Sequence, residues 1–377
     1  MNVLNTINVP KRVLSGMRPT GKLHLGNYMG ALRNWVTLQD ETNADGNRKY
    51  EGYYFIADLH ALTTDYADTS GIQQNIADVA LDFLAGGLAP ERSTIFVQSD
   101  VPQHAELHLL LSMITPLSWL ERVPTYKDQQ EQLKEKDLAT YGFLGYPLLM
   151  AADILLYRPD YVPVGQDQAA HVEITREIAR KFNSTYAPRG IDGNLLANIY
   201  ATAQGLKLPV RKENPSYIEM VLPEPKVLFT PSPKLPGTDG RKMSKSYGNT
   251  VMLTDTEADL RKKLKTMVTD PARVRRTDPG NPEVCPVGDL HKVFSSDETR
   301  LKVWEGCTSA GIGCIECKGW AADGIVAVLN PIQERRRQYE ANPKLVTEIL
   351  AAGAERARAS AAATMQQVRG AMKMRAQ

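Results

Sequence analysis

Four short apolar runs, separated by helical stretches, constrain the fold of this chain more than any other feature. They are RVLSGM (12–17), YEGYYFIADLHALT (50–63), STIFVQSD (93–100) and YVPVGQDQ (161–168). Each has strand composition and length. The first is followed by a Gly-containing loop and the amphipathic stretch YMGALRNWVTLQ. Between the second and third, IQQNIADVALDFLAGGL has helical period and closes on Gly-Gly, a helix stop. Strands alternating with helices predict an α/β fold built on a doubly wound, Rossmann-like parallel sheet. Polar residues gather just after the strands, where such sheets bind their ligands.

The 377 residues divide into three regions. Residues 1–253 hold the α/β pattern, with a Pro/Gly-rich stretch at about 184–235 that reads as an insertion. Residues 254–342 are helical. Residues 343–377 form an Ala-rich amphipathic helix that could pack back onto the first region. Lys and Arg number 45 against 43 Asp and Glu, which argues against bulk electrostatic binding and leaves only local basic patches. No run approaches 18 apolar residues and the first residues lack a secretory core, so the expectation is a cytoplasmic protein without a membrane span.

Two segments offer phosphate chemistry. In PTGKLHLGN, Gly21 permits a tight turn and Gly26 lets another group come close to the backbone. His24 and Asn27 supply neutral donors at a helix start, which favours an anion. In PGTDGRKMSKSYGN (236–249), Lys242 and Lys245 bracket a small, flexible loop. Lysine is a mobile point charge, suited to a phosphate that moves or leaves. Taken singly, an ordinary helix start and a solvated basic turn explain these segments equally well.

The run PLLMAADILLY (147–157) places one carboxylate, Asp153, among apolar residues. Left isolated and buried it would cost several kcal/mol or take up a proton. It therefore caps something, pairs with a base such as Arg158 or Lys181, or awaits a ligand. On a helix, Tyr146, Met150, Asp153 and Tyr157 share one face, a slot for a flat group with one N–H or O–H donor. Separately, all four cysteines fall in one pattern, Cys285-x21-Cys307-x6-Cys314-x2-Cys317. Zinc and a four-iron four-sulfur cluster both suit four thiolates. Disulfides are disfavoured in a cytosolic protein.

HLGN and KMSKS, in this order on this scaffold, resemble the two signature motifs of class I aminoacyl-tRNA synthetases. HLGN is a variant of the usual HIGH form. The segments SGMRPTGKLHLGN, LERVPTYK, MAADILLY, VPVGQDQ and KLPGTDGRKMSKSYGN resemble the tryptophanyl-tRNA synthetase family. The resemblance implies a helical anticodon-binding C-terminal region and a tryptophan–tRNA ligase activity, with ATP, Mg²⁺, L-tryptophan, tRNA(Trp) and a homodimer. No protein nucleophile is implied, because the amino acid's own carboxylate attacks the α-phosphorus.

Carried over by position, His24, Asn27, Lys242 and Lys245 stabilise the departing pyrophosphate. Arg18, Thr20, Gly26, Met243 and Ser244 complete the phosphate end, and Gly165 and Asp167 contact the ribose. Arg18 stands where many bacterial members carry Gln. Asp153 accepts from the indole N–H and Met150 packs on the ring. Tyr146 and Gln168 orient the ammonium group, and His60 lies at the pocket wall. Leu14 replaces a frequent aromatic. The cysteine spacing and its neighbours resemble an iron–sulfur subset of the bacterial enzymes, with zinc as the alternative. Arg273, Arg275 and Arg276 beside it would contact tRNA phosphates, unless they are simply a solvated turn. Rival readings are the tyrosine enzyme, a nucleotidyltransferase acting without tRNA, and a cluster-bearing RNA-binding paralogue. The helical C-terminal half disfavours the second, and the intact motifs disfavour the third.

Overall fold

One parallel sheet of five strands organises the described residues: β1 (Lys11–Met17), β2 (Tyr50–Ile56), β3 (Ser93–Val97), β4 (Tyr161–Val164) and β5 (Lys226–Phe229), in the order β3-β2-β1-β4-β5. All pairings are parallel, with Gly16 opposite Phe55 and Val162 opposite Val227. This computed structural model describes residues 9–123, 126, 138–186, 220–229 and 235–375, apart from the side chain of Asp167. The expected doubly wound fold is therefore present.

Helices cover both faces, which is why β3 is buried along its whole length. Side chains alternate across the sheet. Tyr54 and Ile56 of β2 face α1 (Arg33–Asp40), α3 (Ile72–Ala85) and α10 (Cys314–Glu340). There Trp35 stacks on Tyr54 at 5.1 Å between ring centres, with Phe83 edge-on at 5.3 Å. Tyr53 and Phe55 face α4 (Gln103–Ser112), α5 (Tyr146–Tyr157), α6 (Ala169–Tyr186) and α11 (Pro343–Ala371). The remaining helices used below are α2 (Asp58–Asp65), α7 (Glu257–Thr266), α8 (Pro286–Phe294) and α9 (Asp297–Thr308).

Three sequence expectations need correction. The run 50–63 is a strand only to Ile56; Asp58 then starts α2, because ADLHALT is as apolar as the strand it follows. The run 93–100 ends as a strand at Val97. The stretch 184–235 is not wholly an excursion: Val221 and Leu222 are buried, and β5 pairs with β4. Prolines 223 and 225, which stand just before β5, disguised this short strand. Residues 187–219 and 230–234 of that stretch lie outside the described residues.

The final helix does pack back. Helix α11 crosses β3 so closely that a Cβ added to Gly353 would collide with the carbonyl oxygen of Ile95. Backbone cannot yield as a flexible side chain would. The Gly353→Ala variant is expected to lose about 2 kcal/mol or more of stability, read as a lowered denaturation midpoint; an unchanged midpoint would contradict this packing.

Candidate active site

The strand order reverses between β1 and β4, so the crevice beyond their carboxyl ends is the natural ligand site. The chain leaving β1 enters it as Arg18–Asn27. His24 caps the first helical turn: its Nδ1 accepts from the Asn27 N–H at 3.3 Å, and Asn27 Oδ1 accepts from the His24 N–H at 3.2 Å. The imidazole thus folds over Gly26, where a Cβ would lie 2.9 Å from the ring, so only glycine fits. Burial, then Lys245 and Lys242, lower the His24 pKa to about 4. A neutral ring agrees with an accepting Nδ1.

The second lysine-bearing segment meets the first directly. The Leu25 N–H donates to the Val251 carbonyl at 2.9 Å, and the Leu253 N–H to the Leu23 carbonyl at 3.0 Å. Lys245 Nζ donates to the carbonyls of Thr20 (2.8 Å) and Gly21 (2.9 Å). Met243 is buried in the core and anchors the loop. Lys242 is exposed, and the Ser244 N–H donates to Asn249 Oδ1 at 2.8 Å. The structure therefore brings together Thr20, His24, Gly26, Asn27 and the 242–245 segment. Arg18 turns to α2 instead, donating to the Thr64 hydroxyl and to Asp65 at 3.3 Å. Its Nε is buried with no partner among the described residues.

Helix α5 is buried on every side except at Met150, which is half-buried. Asp153, only 1% exposed, pairs with neither Arg158 nor Lys181. Arg158 lies past the helix end and binds Gln367 of α11. Asp153 accepts instead from His60 Nε2 at 2.8 Å, Gln98 Nε2 at 2.7 Å and His104 Nδ1 at 2.6 Å. Burial pushes its carboxyl up, but His104 and His60 outweigh that and hold it at about 2. His60 and Gln98 follow the carboxyl ends of β2 and β3, so this carboxylate lies at the same edge of the sheet as the phosphate segments. Tyr146 is buried against Phe143 and His171. Leu14 is a core residue of β1. Gly165 precedes the short helical turn Gln166–Gln168, where Gln168 is half-buried. The Asp167 side chain lies outside the described residues.

Sequence reasoning missed Gln98, His104 and Asn249. The first two stand in QSDVPQH, a polar run following a strand, which was the available signal. Asn249, 2% exposed, staples the lysine loop by also donating to Asp239 at 2.7 Å and to the Lys242 carbonyl at 3.2 Å.

One expected tRNA contact is corrected. Arg273 is buried: it donates to Cys307 Sγ at 3.6 Å and to the carbonyls of Arg276 (3.1 Å) and Ile312 (2.5 Å). Its guanidinium is spent inside, whereas Arg275 and Arg276 are exposed. The four cysteines are free thiols gathered at the starts of α8 and α10 and the end of α9. Burial and the other three cysteines raise the Cys317 thiol to about 12. The donor set suits a thiolate-bound metal. Among the described residues, however, no group of three or more His, Cys, Asp or Glu is drawn together as a metal site.

The profile of the family described as "tRNA synthetases class I (W and Y)" matches residues 6–330, and the chain belongs to this family. Within it, the similarity runs to the tryptophan members. A tryptophan–tRNA ligase from Ralstonia nicotianae is 49% identical, covering 96% of this chain and 98% of its own. One from Thermotoga maritima is also 49% identical, covering 96% and 99%. The crystal structure of tryptophanyl-tRNA synthetase from Campylobacter jejuni, complexed with ADP and tryptophan, superposes with a TM-score of 0.77 at 32% identity, over 96% of this chain and all of that one.

The depressed His24 pKa is testable. The ring should titrate near pH 4 by NMR in the ligand-free protein, well below the usual 6.5. Adding pyrophosphate should move the midpoint upward. A ligand-free midpoint at 6.5 would contradict the buried, lysine-flanked placement.

Proposed function

We infer that the chain activates L-tryptophan with ATP, giving tryptophanyl-adenylate and pyrophosphate, and then passes tryptophan to the 3′ end of tRNA(Trp). The observation that carries this reading is the junction of the 20–27 and 242–253 segments at the switch point, with a buried acceptor carboxylate at the same sheet edge. The tryptophan carboxylate oxygen attacks the α-phosphorus and the bond to the bridging oxygen of pyrophosphate breaks. The protein's part is positioning and charge. Lys242 and Lys245 move onto the leaving phosphates, Lys245 releasing the Thr20 and Gly21 carbonyls. Neutral His24, Asn27 and the helix start behind them donate without adding fixed charge. Gly165 and Asp167 take the ribose, while Gln168 and Tyr146 orient the substrate ammonium. Mg²⁺ arriving with ATP supplies further neutralisation of phosphate charge.

Asp153 reads the indole N–H across a ring packed on Met150. A competitor without that donor leaves a buried acceptor unpaired, which costs more than a missing methylene. A tyrosyl-tRNA synthetase from Archaeoglobus fulgidus, at TM-score 0.58 and 20% identity, shares the fold alone.

The rest of the reading follows the same family. Residues 1–253 serve catalysis and 254–342 the anticodon, while 343–377 brace the sheet. Exposed Arg275 and Arg276 are the tRNA phosphate contacts. The protein is a cytoplasmic homodimer, supported by the exposed apolar residues Leu109, Met113 and Leu117. No helix among the described residues is long and apolar enough to cross a membrane. Cys285, Cys307, Cys314 and Cys317 hold a four-iron four-sulfur cluster, with zinc as the alternative; what supports it is four free cysteines, two of which, Cys307 and Cys317, have thiols that burial pushes up and that a cation would help ionise. Its role is structural.

Pyrophosphate exchange into ATP should depend on tryptophan and not on tyrosine. Asp153→Ala should lower kcat/KM for tryptophan by about a hundredfold or more with the KM for ATP little changed. Exchange driven by tyrosine would contradict the reading. Anaerobically purified protein should absorb broadly near ~400 nm; a colourless protein carrying zinc would overturn the cluster assignment.

A further inference from the structure

Among the buried histidines that the mechanism leaves unused, His104 touches Asp153. His104 is fully buried at the start of α4. Its Nδ1 lies 2.6 Å from Asp153 Oδ1 and its Nε2 lies 2.8 Å from the hydroxyl of Tyr157. Asp153 and Tyr157 are one turn apart on α5, so the imidazole is gripped at both nitrogens by a single helix. Phe55, Phe96 and Tyr157 surround its ring at 5.4–6.2 Å between centres. No surface group or water-filled path is needed to satisfy it.

A carboxylate has about four lone-pair sites. Among the described residues, Oδ1 of Asp153 is filled by two donors, Gln98 and His104, and Oδ2 carries His60 alone. One acceptor site remains, on Oδ2. We propose that His104, backed by Tyr157, is a positioning residue that locks the Asp153 carboxylate so that it offers a single vacancy and accepts a single N–H, which makes it a determinant of indole recognition. This rests on the reading of Asp153 as the indole acceptor.

The lock has a defined hydrogen pattern. A carboxylate can only accept, so Nδ1 of His104 carries the hydrogen. In the neutral ring, Nε2 then accepts from the Tyr157 hydroxyl. Tyr157 thereby holds the tautomer that donates to Asp153. Without His104, Oδ1 loses a donor and the carboxylate is free to turn or to take a proton. Either change spoils the vacancy without touching the phosphate end.

The test compares tryptophan with its sulfur isostere, β-(benzothienyl)alanine, which keeps the bicyclic shape and lacks the N–H. The ratio of kcat/KM for the two, in pyrophosphate exchange with the full chain, isolates the hydrogen bond. His104→Leu should lower that ratio at least tenfold through the KM for tryptophan, with the KM for ATP unchanged. His104→Asn, whose amide N–H can stand where Nδ1–H stood, should restore most of it. Tyr157→Phe should lower the ratio less, in the same direction, and keeps the test open if the leucine variant does not fold. A ratio unchanged in both the His104→Leu and Tyr157→Phe variants, or equal loss for both substrates, would overturn the proposal. Asp153→Ala, which removes the acceptor, separates the two ideas: if it leaves the ratio unaltered, the acceptor reading itself fails. If it collapses the ratio while the His104 and Tyr157 variants do not, only the positioning role fails.

Discussion

Everything at the phosphate end depends on a short antiparallel ladder between Leu23–Leu25 and Val251–Leu253. These segments lie more than 220 residues apart, and this pairing, together with Lys245 on the Thr20 and Gly21 carbonyls, puts His24 beside Lys242 and Lys245. The ladder is braced from behind by the C-terminal half. Asp82 accepts the Leu23 N–H at 2.7 Å and is itself held by Arg336 of α10. Burial raises the Asp82 carboxyl to about 6 even so, with Arg336 opposing. Gln333, one turn earlier on α10, donates to the carbonyls of Leu253 and Asp255 at 2.9 Å each. The same helix begins with Cys314 and Cys317. This helix, which carries Pro331 in its interior, therefore runs from the cysteines to both phosphate segments.

Two chemistries meet in this crevice and are built differently. The phosphate end uses mobile charge: Lys245 rests on backbone carbonyls that it can leave, and Lys242 is exposed. That suits charge which appears only as pyrophosphate departs. The side-chain end uses fixed, buried hydrogen bonds. Asp153 is held by three donors from three other elements: α2, the turn after β3, and α4. On the proposed function, the buried hydrogen bonds at Asp153 make a wrong partner costly, and the lysines at the other end can follow charge that develops in the reaction.

What the sequence revealed was local, and what it hid was tertiary. The runs of β1 and β3, the glycine-bearing turn and the paired lysines carry their chemistry within a few residues. Strand β5 was hidden because it is only four residues long and directly follows Pro223 and Pro225, which read as loop. The start of α2 was hidden because apolar residues continue unbroken from β2. Asp153 was visible as an anomaly, but its partners His60, Gln98 and His104 come from segments 49–93 residues away, so no spacing rule identifies them. Arg273 shows the opposite error. Its charge suggested solvent, while the fold spends it on Cys307 and two carbonyls.

On the proposed function, one crevice holds phosphates between His24 and the paired lysines while Asp153 takes the indole nitrogen. A crystal structure with a stable sulfamoyl analogue of tryptophanyl-adenylate tests it most directly. The indole nitrogen should lie about 3 Å from Asp153 Oδ2, with Gln98 and His104 still on Oδ1 and the sulfamoyl group facing His24. An indole lodged away from Asp153, with the carboxylate closed by internal donors alone, would contradict it.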